Sequence, residues 1–283
     1  MSSLTIKNLN KIYNPGKNEV HAVKDFNLEI EDGEFVALLG PSGCGKTSTL
    51  RMIVGLESIT SGSILFDDVE INDFSPEQRN VAMAFESYAL YPNFTIFENL
   101  AFPLEVKKNS SSEISKKVGE IAEMLQITNI LELKPNQLSG GQQQRVSLGR
   151  ALIRDPAVFI LDEVMSHLDA HLKFQMLFEL KKIHQTLKKT MIYVTHDQME
   201  ALALSDRVAV MANAVLQQFG DRNDLYHRPK NLFVADFIGE PATNFMKAQY
   251  SQNSTMKISG DLQFSLTNDC LLYTSPSPRD VRS

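Results

Sequence analysis

One octapeptide limits what this chain can fold into more than any other feature. Gly40-Pro41-Ser42-Gly43-Cys44-Gly45-Lys46-Thr47 fits the pattern G-x-x-x-x-G-K-[ST]. It stands between the continuously apolar run Phe35-Val36-Ala37-Leu38-Leu39 and a helical pattern over 46–56. An apolar run of that kind reads as a strand covered on both faces. The glycines let main-chain N–H groups turn inward toward phosphate oxygens, and the helix N-terminus adds donors and a partial positive charge. Lys46 is then placed for the β- and γ-phosphates of a nucleotide, and Thr47 for a hydroxyl bond to Mg²⁺, with Ser48 beside them. Cys44 reads as a small residue filling the loop; the alternative is a thiol activated by Lys46.

In the remaining chain strand patterns alternate with helical ones, without an internal repeat. Alternating strands are expected near 4–6 and over 22–30, and buried strands at 158–161 and 191–194. Helices are expected over 113–125, 141–153, 171–187 and 198–204, with a polar loop at 107–112. Ser75-Pro76-Glu77-Gln78 looks like another helix start, with a Ser cap and Pro at the first helical position. Strands alternating with helices mean an α/β fold with a parallel sheet. Val158-Phe159-Ile160-Leu161-Asp162-Glu163 puts two carboxylates at the carboxyl end of a buried strand, where open α/β sheets bind ligands. Asp162 can hold Mg²⁺ and Glu163 can polarise a water as general base. Leu138-Ser139-Gly140-Gly141-Gln142 opens a helix and forms a second anion-binding surface. Two such surfaces in one chain suit a nucleotide shared between two copies packed head to tail.

Charge and hydropathy narrow the setting. Lys and Arg number 28 against 34 Asp and Glu, a net charge of −6, which argues against a general nucleic-acid binder. No apolar run reaches the ~20 residues a membrane helix needs, and Met1 to Lys7 has no apolar leader. Two cysteines make no disulfide framework, so a reducing compartment is expected.

At Ser139 to Gln142 the chain comes to resemble the ATP-binding cassette (ABC) ATPases, over about residues 3–240. The resemblance implies a P-loop NTPase fold with an antiparallel β subdomain and a helical subdomain. It implies that Tyr13 stacks on adenine, that Ser166-His167-Leu168-Asp169 is the D-loop, and that His196 in Thr195-His196-Asp197-Gln198 contacts the γ-phosphate. Ser87-Tyr88-Ala89-Leu90-Tyr91-Pro92 is similar to the segment that docks a permease in bacterial carbohydrate importers of the maltose type. Leu225-Tyr226-His227-Arg228-Pro229 and Phe237-Ile238-Gly239-Glu240-Pro241 resemble the end of that subfamily's nucleotide domain. Membership of that subfamily implies partners: a second ATPase subunit, identical or different, transmembrane permeases, and indirectly an external solute-binding protein. It also implies a place on the cytoplasmic face of the inner membrane and a carbohydrate or polyol as solute. Residues 241–269 then begin a truncated β-rich regulatory domain. Residues 270–283 reverse-translate from Cys270 to Asp280 as a transposon-based sequencing adaptor, and are expected to be an artefact.

Four positions depart from the family pattern. Glu86 replaces the usual Q-loop Gln; it can still ligand Mg²⁺ but donates no amide hydrogen bond. It reads as a tolerated variant, as the mark of a subunit paired with a different ATPase, or as a brake on hydrolysis. Val164 stands for Pro after Glu163, His167 for Asn in the D-loop, and Ala214 for a turn Gly, where positive φ would be strained. The expectation is an active ATPase. The rivals are a non-catalytic regulatory subunit and a soluble ABC ATPase that serves no membrane.

Overall fold

The computed structural model describes residues 3–16, 18–85, 87–239 and 242–245, with the strands at 248–251, 255–258 and 263–265. Glu86 and residues 270–283 lie outside the described residues, so the readings that rest on them stay there. The chain divides into two compact units, 1–219 and 220–283.

The first unit runs β1 (Leu4–Tyr13), β2 (Val20–Ile30), β3 (Phe35–Leu39), α1 (Lys46–Val54), β4 (Ser61–Phe66), β5 (Val69–Glu70), β6 (Val81–Ala84), α2 (Ile96–Val106), α3 (Ser111–Met124), α4 (Gly140–Leu152), β7 (Val158–Asp162), α5 (Ala170–Leu187), β8 (Thr190–Thr195), α6 (Gln198–Leu204), β9 (Arg207–Ala212) and β10 (Val215–Gly220). Two sheets form. One is antiparallel, β2-β1-β4-β5. The other has the order β10-β9-β3-β8-β7-β6, and from β9 to β6 every pairing is parallel. This is the α/β architecture with antiparallel and helical subdomains that the resemblance implied.

The apolar runs read as buried strands because consecutive side chains feed two cores. Val158, Ile160, Ile192 and Val194 join one core with the antiparallel sheet and α1. Phe159, Leu161, Met191 and Tyr193 join the other, with the helices α2 to α5. Each such side chain stabilises the fold by roughly 1.5–3 kcal/mol relative to exposure.

Two local readings change. The helix expected to start at Ser75 is a run of turns. Half of the capping chemistry is present, since the Ser75 N–H donates to Gln78 Oε1 at 2.9 Å. No helix forms there: no apolar stripe comes after the cap, and the chain turns left-handed at Asn80 (φ 49°). In contrast α2 forms although Pro103 lies inside it; a full capping box of Thr95 and Glu98 starts it. The turn between β9 and β10 has Asn213 and Ala214 at φ 50° and 66°, the two-residue hairpin in which both positions need positive φ. Ala214 therefore carries the expected strain.

The second unit holds α7 (Arg222–His227), α8 (Leu232–Phe237) and a three-stranded antiparallel meander of β11 (Ala248–Ser251), β12 (Thr255–Ile258) and β13 (Gln263–Ser265).

Candidate active site

Parallel pairing brings three loops to one sheet edge. Leu39 pairs with Thr195, and Asp162 with Val194, so Gly40, Glu163 and His196 all come directly after strands that end at the same level. The site grows from that edge.

The loop after β3 is shaped by the backbones around it. A Cβ on Gly40 would lie 2.3 Å from the Met211 carbonyl oxygen of β9, and one on Gly45 only 2.2 Å from that of Ala22 in β2. Gly45 is left-handed at φ 108° and caps α1. No other residue fits there. Pro41, Ser42 and Gly43 form the exposed arch of the loop. Lys46 folds back under it: its Nζ donates to the carbonyls of Gly40 at 2.7 Å and Pro41 at 3.1 Å, and the residue is 4 % exposed. Thr47 is exposed beside it. The Tyr13 hydroxyl lies 3.4 Å from the half-buried Ser48 Oγ, and Lys11 Nζ lies 4.8 Å from the Tyr13 ring centre. Cys44 is buried, and burial pushes its thiol up despite the charge of Lys46. Burial and a raised thiol fit the reading of Cys44 as a small residue that fills the loop.

The other end of α1 is held by a residue the sequence did not single out. Arg79 is 5 % exposed and donates to the carbonyls of Met52, Ile53, Phe74 and Asn72 at 2.6–2.9 Å. A cation at a helix C-terminus meets both the dipole and the orphan carbonyls. Burial lowers its pKa. The signal was absent from sequence because no motif precedes it, only a failed helix start.

Glu163 adopts φ 47°, and its N–H donates to the Val194 carbonyl at 2.9 Å. That pins the turn at the end of β7. Val164 beside it is buried in the helical-side core, which accounts for an apolar residue where Pro is usual. His196 Nδ1 lies 3.4 Å from Glu163 Oε1, with both side chains reachable from solvent. A carboxylate and an imidazole so placed can orient a water and take its proton. The oxygen donors of Thr47 and Asp162 suit Mg²⁺, an ion that keeps few protein ligands and takes the rest from phosphate and water. Among the described residues there is no group of three His, Cys, Asp or Glu placed to hold a metal ion.

Ser139 caps α4 from an exposed position. Its Oγ accepts from the Gln142 N–H at 3.4 Å and Gln142 Oε1 accepts from the Ser139 N–H at 2.9 Å. Gly140 and Gly141 form the first turn, one residue earlier than sequence suggested. Of the segment 88–92, Tyr88, Ala89 and Tyr91 line a cleft of about 450 Å³ together with Phe102, Arg150 and Arg154. Tyr88 and Ala89 are both left-handed, at φ 59° and 49°. Arg150 donates to the Ala89 carbonyl and its guanidinium stacks 4.5 Å from the Tyr91 ring centre. The Tyr88 ring packs edge-on against His167, 6.4 Å between centres.

Comparison with known proteins agrees with this geometry. Residues 23–166 match the ABC transporter family. The chain is 48 % identical over 282 residues to the uncharacterised ABC transporter ATP-binding protein YurJ of Bacillus subtilis, covering 100 % of this chain and 74 % of that one. It is 46 % identical over 281 residues to the trehalose import ATP-binding protein SugC of Mycobacterium tuberculosis, covering 99 % and 71 %. Among solved structures, a post-hydrolysis dimer of the ATP-binding cassette MJ0796 bound to ADP and Pi superposes with a TM-score of 0.69 at 32 % identity, covering 77 % of this chain and 98 % of that one. The chain belongs to the ABC transporter family, as an ATP-binding and ATP-hydrolysing subunit.

Proposed function

We propose that this chain is the ATPase of an importer for a carbohydrate or polyol, working on the cytoplasmic face of the membrane. The observation that carries the reading is the common sheet edge, where the Lys46 loop, the Asp162–Glu163 strand end and His196 stand together. Lys46 and the N–H groups of 40–47 hold the phosphates of ATP, and the Tyr13 ring stacks on the base. Thr47, Asp162 and Glu86 hold Mg²⁺, which when bound neutralises charge building on the phosphates. Glu163 accepts a proton from the water that attacks the γ-phosphorus, the terminal P–O bond breaks, and ADP and phosphate leave. His196 contacts the γ-phosphate and keeps that water in line.

Ser139 and Gly140, exposed at the start of α4, serve with Gly141 and Gln142 the nucleotide of a second cassette, so two chains close on two ATP. The self-bonded Ser139 supports this, because its hydroxyl sits at an exposed helix start and bonds within its own cap. The cleft beside Tyr88 to Pro92 receives a permease helix. SugC is a trehalose import protein, and its likeness over most of the chain supports a sugar or polyol.

The test is ATP turnover by the purified chain with Glu163→Gln alongside. The substitution is expected to abolish turnover and trap an ATP-bound dimer on gel filtration. Full turnover by Glu163→Gln removes the residue as base, and no turnover by the parent chain or with its permease removes the reading. Deleting the gene in its host is expected to abolish growth on one sugar or polyol; unchanged growth on every such carbon source removes the solute class.

A further inference from the structure

Among the described residues Glu200 is the one buried carboxylate, 4 % exposed in the first turn of α6, four positions after His196. Its Oε2 accepts hydrogen bonds from the Tyr193 hydroxyl at 2.5 Å and the Thr195 hydroxyl at 2.6 Å. Its Oε1 accepts from Lys173 Nζ at 3.0 Å. Lys173 is in the first turn of α5, directly after the 166–169 segment, and lies 3.5 Å from Asp197 Oδ2. Asp197 in turn donates its N–H to Thr195 Oγ1 at 3.0 Å and accepts from the N–H groups of Met199 and Glu200. Both neighbours of His196 are thereby tied down, Thr195 to Glu200 and Asp197 to Thr195 and Lys173.

A buried charge is a poor way to gain stability. Desolvation opposes it, and apolar replacements of buried ion pairs are often neutral or better. Every hydrogen bond here serves geometry: one carboxylate gathers the end of β8, the start of α6 and the start of α5. Burial, and then the charge of Glu200, hold the Tyr193 hydroxyl protonated far above its ordinary range, so it stays a donor. Burial pulls Lys173 down, but its bonds and charge contacts with Glu200 and Asp197 outweigh this and raise it overall.

We propose that Glu200 is a positioning residue for hydrolysis, which with Lys173 locks the turn bearing His196 to the helix behind the 166–169 segment. The inference rests on the role proposed above for His196. It makes turnover depend on a contact remote from the nucleotide, through the orientation of one imidazole and the setting of the segment that leads into α5.

The experiment compares Glu200→Gln, Lys173→Met, Lys173→Arg, His196→Ala and the double variant Glu200→Gln/His196→Ala in the full chain. Turnover and KM for MgATP are read well below each melting temperature, with nucleotide affinity from a fluorescent ATP analogue. Glu200→Gln is expected to lower kcat about tenfold, in the range that small misplacements of catalytic groups cost, with KM and affinity within about twofold. Lys173→Met is expected to lose kcat the same way and Lys173→Arg to keep it. The double variant is expected to turn over no slower than His196→Ala alone within about twofold, since both changes remove one device. If Glu200→Gln fails to fold, Lys173→Met against Lys173→Arg decides. Parental kcat in Glu200→Gln and Lys173→Met, with His196→Ala impaired, overturns this inference and leaves the role of His196 standing. Losses that multiply in the double variant overturn it too. Full turnover by His196→Ala removes the role of His196 and this inference with it.

Discussion

The two glycine-containing loops, 40–47 and 138–142, are built on opposite plans. The first is jammed into its shape: main chain from β2 and β9 leaves no room for a Cβ on Gly45 or Gly40, and Lys46 is already satisfied by the loop's own carbonyls. The second is looser, with Ser139 and Gly140 exposed and Gly141 buried beneath them. A Cβ on Gly141 would meet only Leu172 side-chain carbons at 3.5 Å, and Ser139 is held by its capping partner. One loop is complete within the chain, and the other presents groups outward. The difference teaches that chemistry alone does not mark a finished site; the steric frame around the loop does.

The sharpest way to break this comparison is to add one methyl group to each loop. Gly45→Ala meets both a left-handed φ and a 2.2 Å overlap. It is expected to cost ~3 kcal/mol or more and to abolish nucleotide binding, read by thermal melting and a fluorescent ATP analogue. Gly141→Ala is expected to leave stability unchanged or raise it by up to ~1 kcal/mol, as Gly→Ala does within helices, keep nucleotide binding, and lose turnover. Equal loss of binding in both would erase the distinction. Ser139→Ala comes next. Loss of an N-cap costs about 1 kcal/mol, or roughly 2–4 °C in Tm, without weakening binding of nucleotide to the single chain.

Alkaline pH sharpens the contrast from another side. Cys44, in the jammed loop, and Tyr193, on the strand beside it, both have raised pKa values, chiefly through burial. Raised acids bind their protons more tightly in the folded chain, so their contribution is complete below the unfolded values and is lost as pH climbs past them. Stability is expected to fall from about pH 9, the ordinary thiol value, with a further loss above about pH 10 from Tyr193. Cys44→Ala should flatten the onset and Tyr193→Phe the later fall, in urea melts taken at stepped pH. The smallest effect belongs to Ala214→Gly. Its carbonyl accepts from Lys24 in β2, two residues from the Ala22 that crowds Gly45. Relief of left-handed strain, less the entropy of glycine, should raise stability by ~0.5 kcal/mol with unchanged nucleotide affinity.

How much of this was legible depended on whether the cause was local. The Gly40–Thr47 string, the buried strands and the Asp162–Glu163 pair could be read because residue type and period state their own geometry. Ala214 could be read because the resemblance puts a turn Gly there, and only φ mattered. Glu200 could not, since its three donors come from β8 and α5, brought together only by packing. Arg79 was hidden the same way. The false helix start at Ser75 and the missed α2 share a lesson. Ser75 and Gln78 carry capping chemistry with no apolar stripe behind it, whereas Thr95 and Glu98 cap a true helix whose Pro103 disguised it. A cap announces a helix only where a packed face comes after it.

The level sheet edge has a further consequence for anyone who lengthens this chain. Each residue of a strand advances it about 3.3 Å and reverses which face the next side chain meets. A residue inserted at the exposed Lys188, ahead of β8, disturbs the cap of α5 but leaves the pairing of β8 in register. The same residue placed between Ile192 and Tyr193 would carry His196 one step further from Glu163 and exchange the cores that Val194 and Tyr193 serve. Foreign sequence, tags or sensor domains therefore belong at the amino end of the strands, because the carboxyl end holds Gly40, Glu163 and His196 in register.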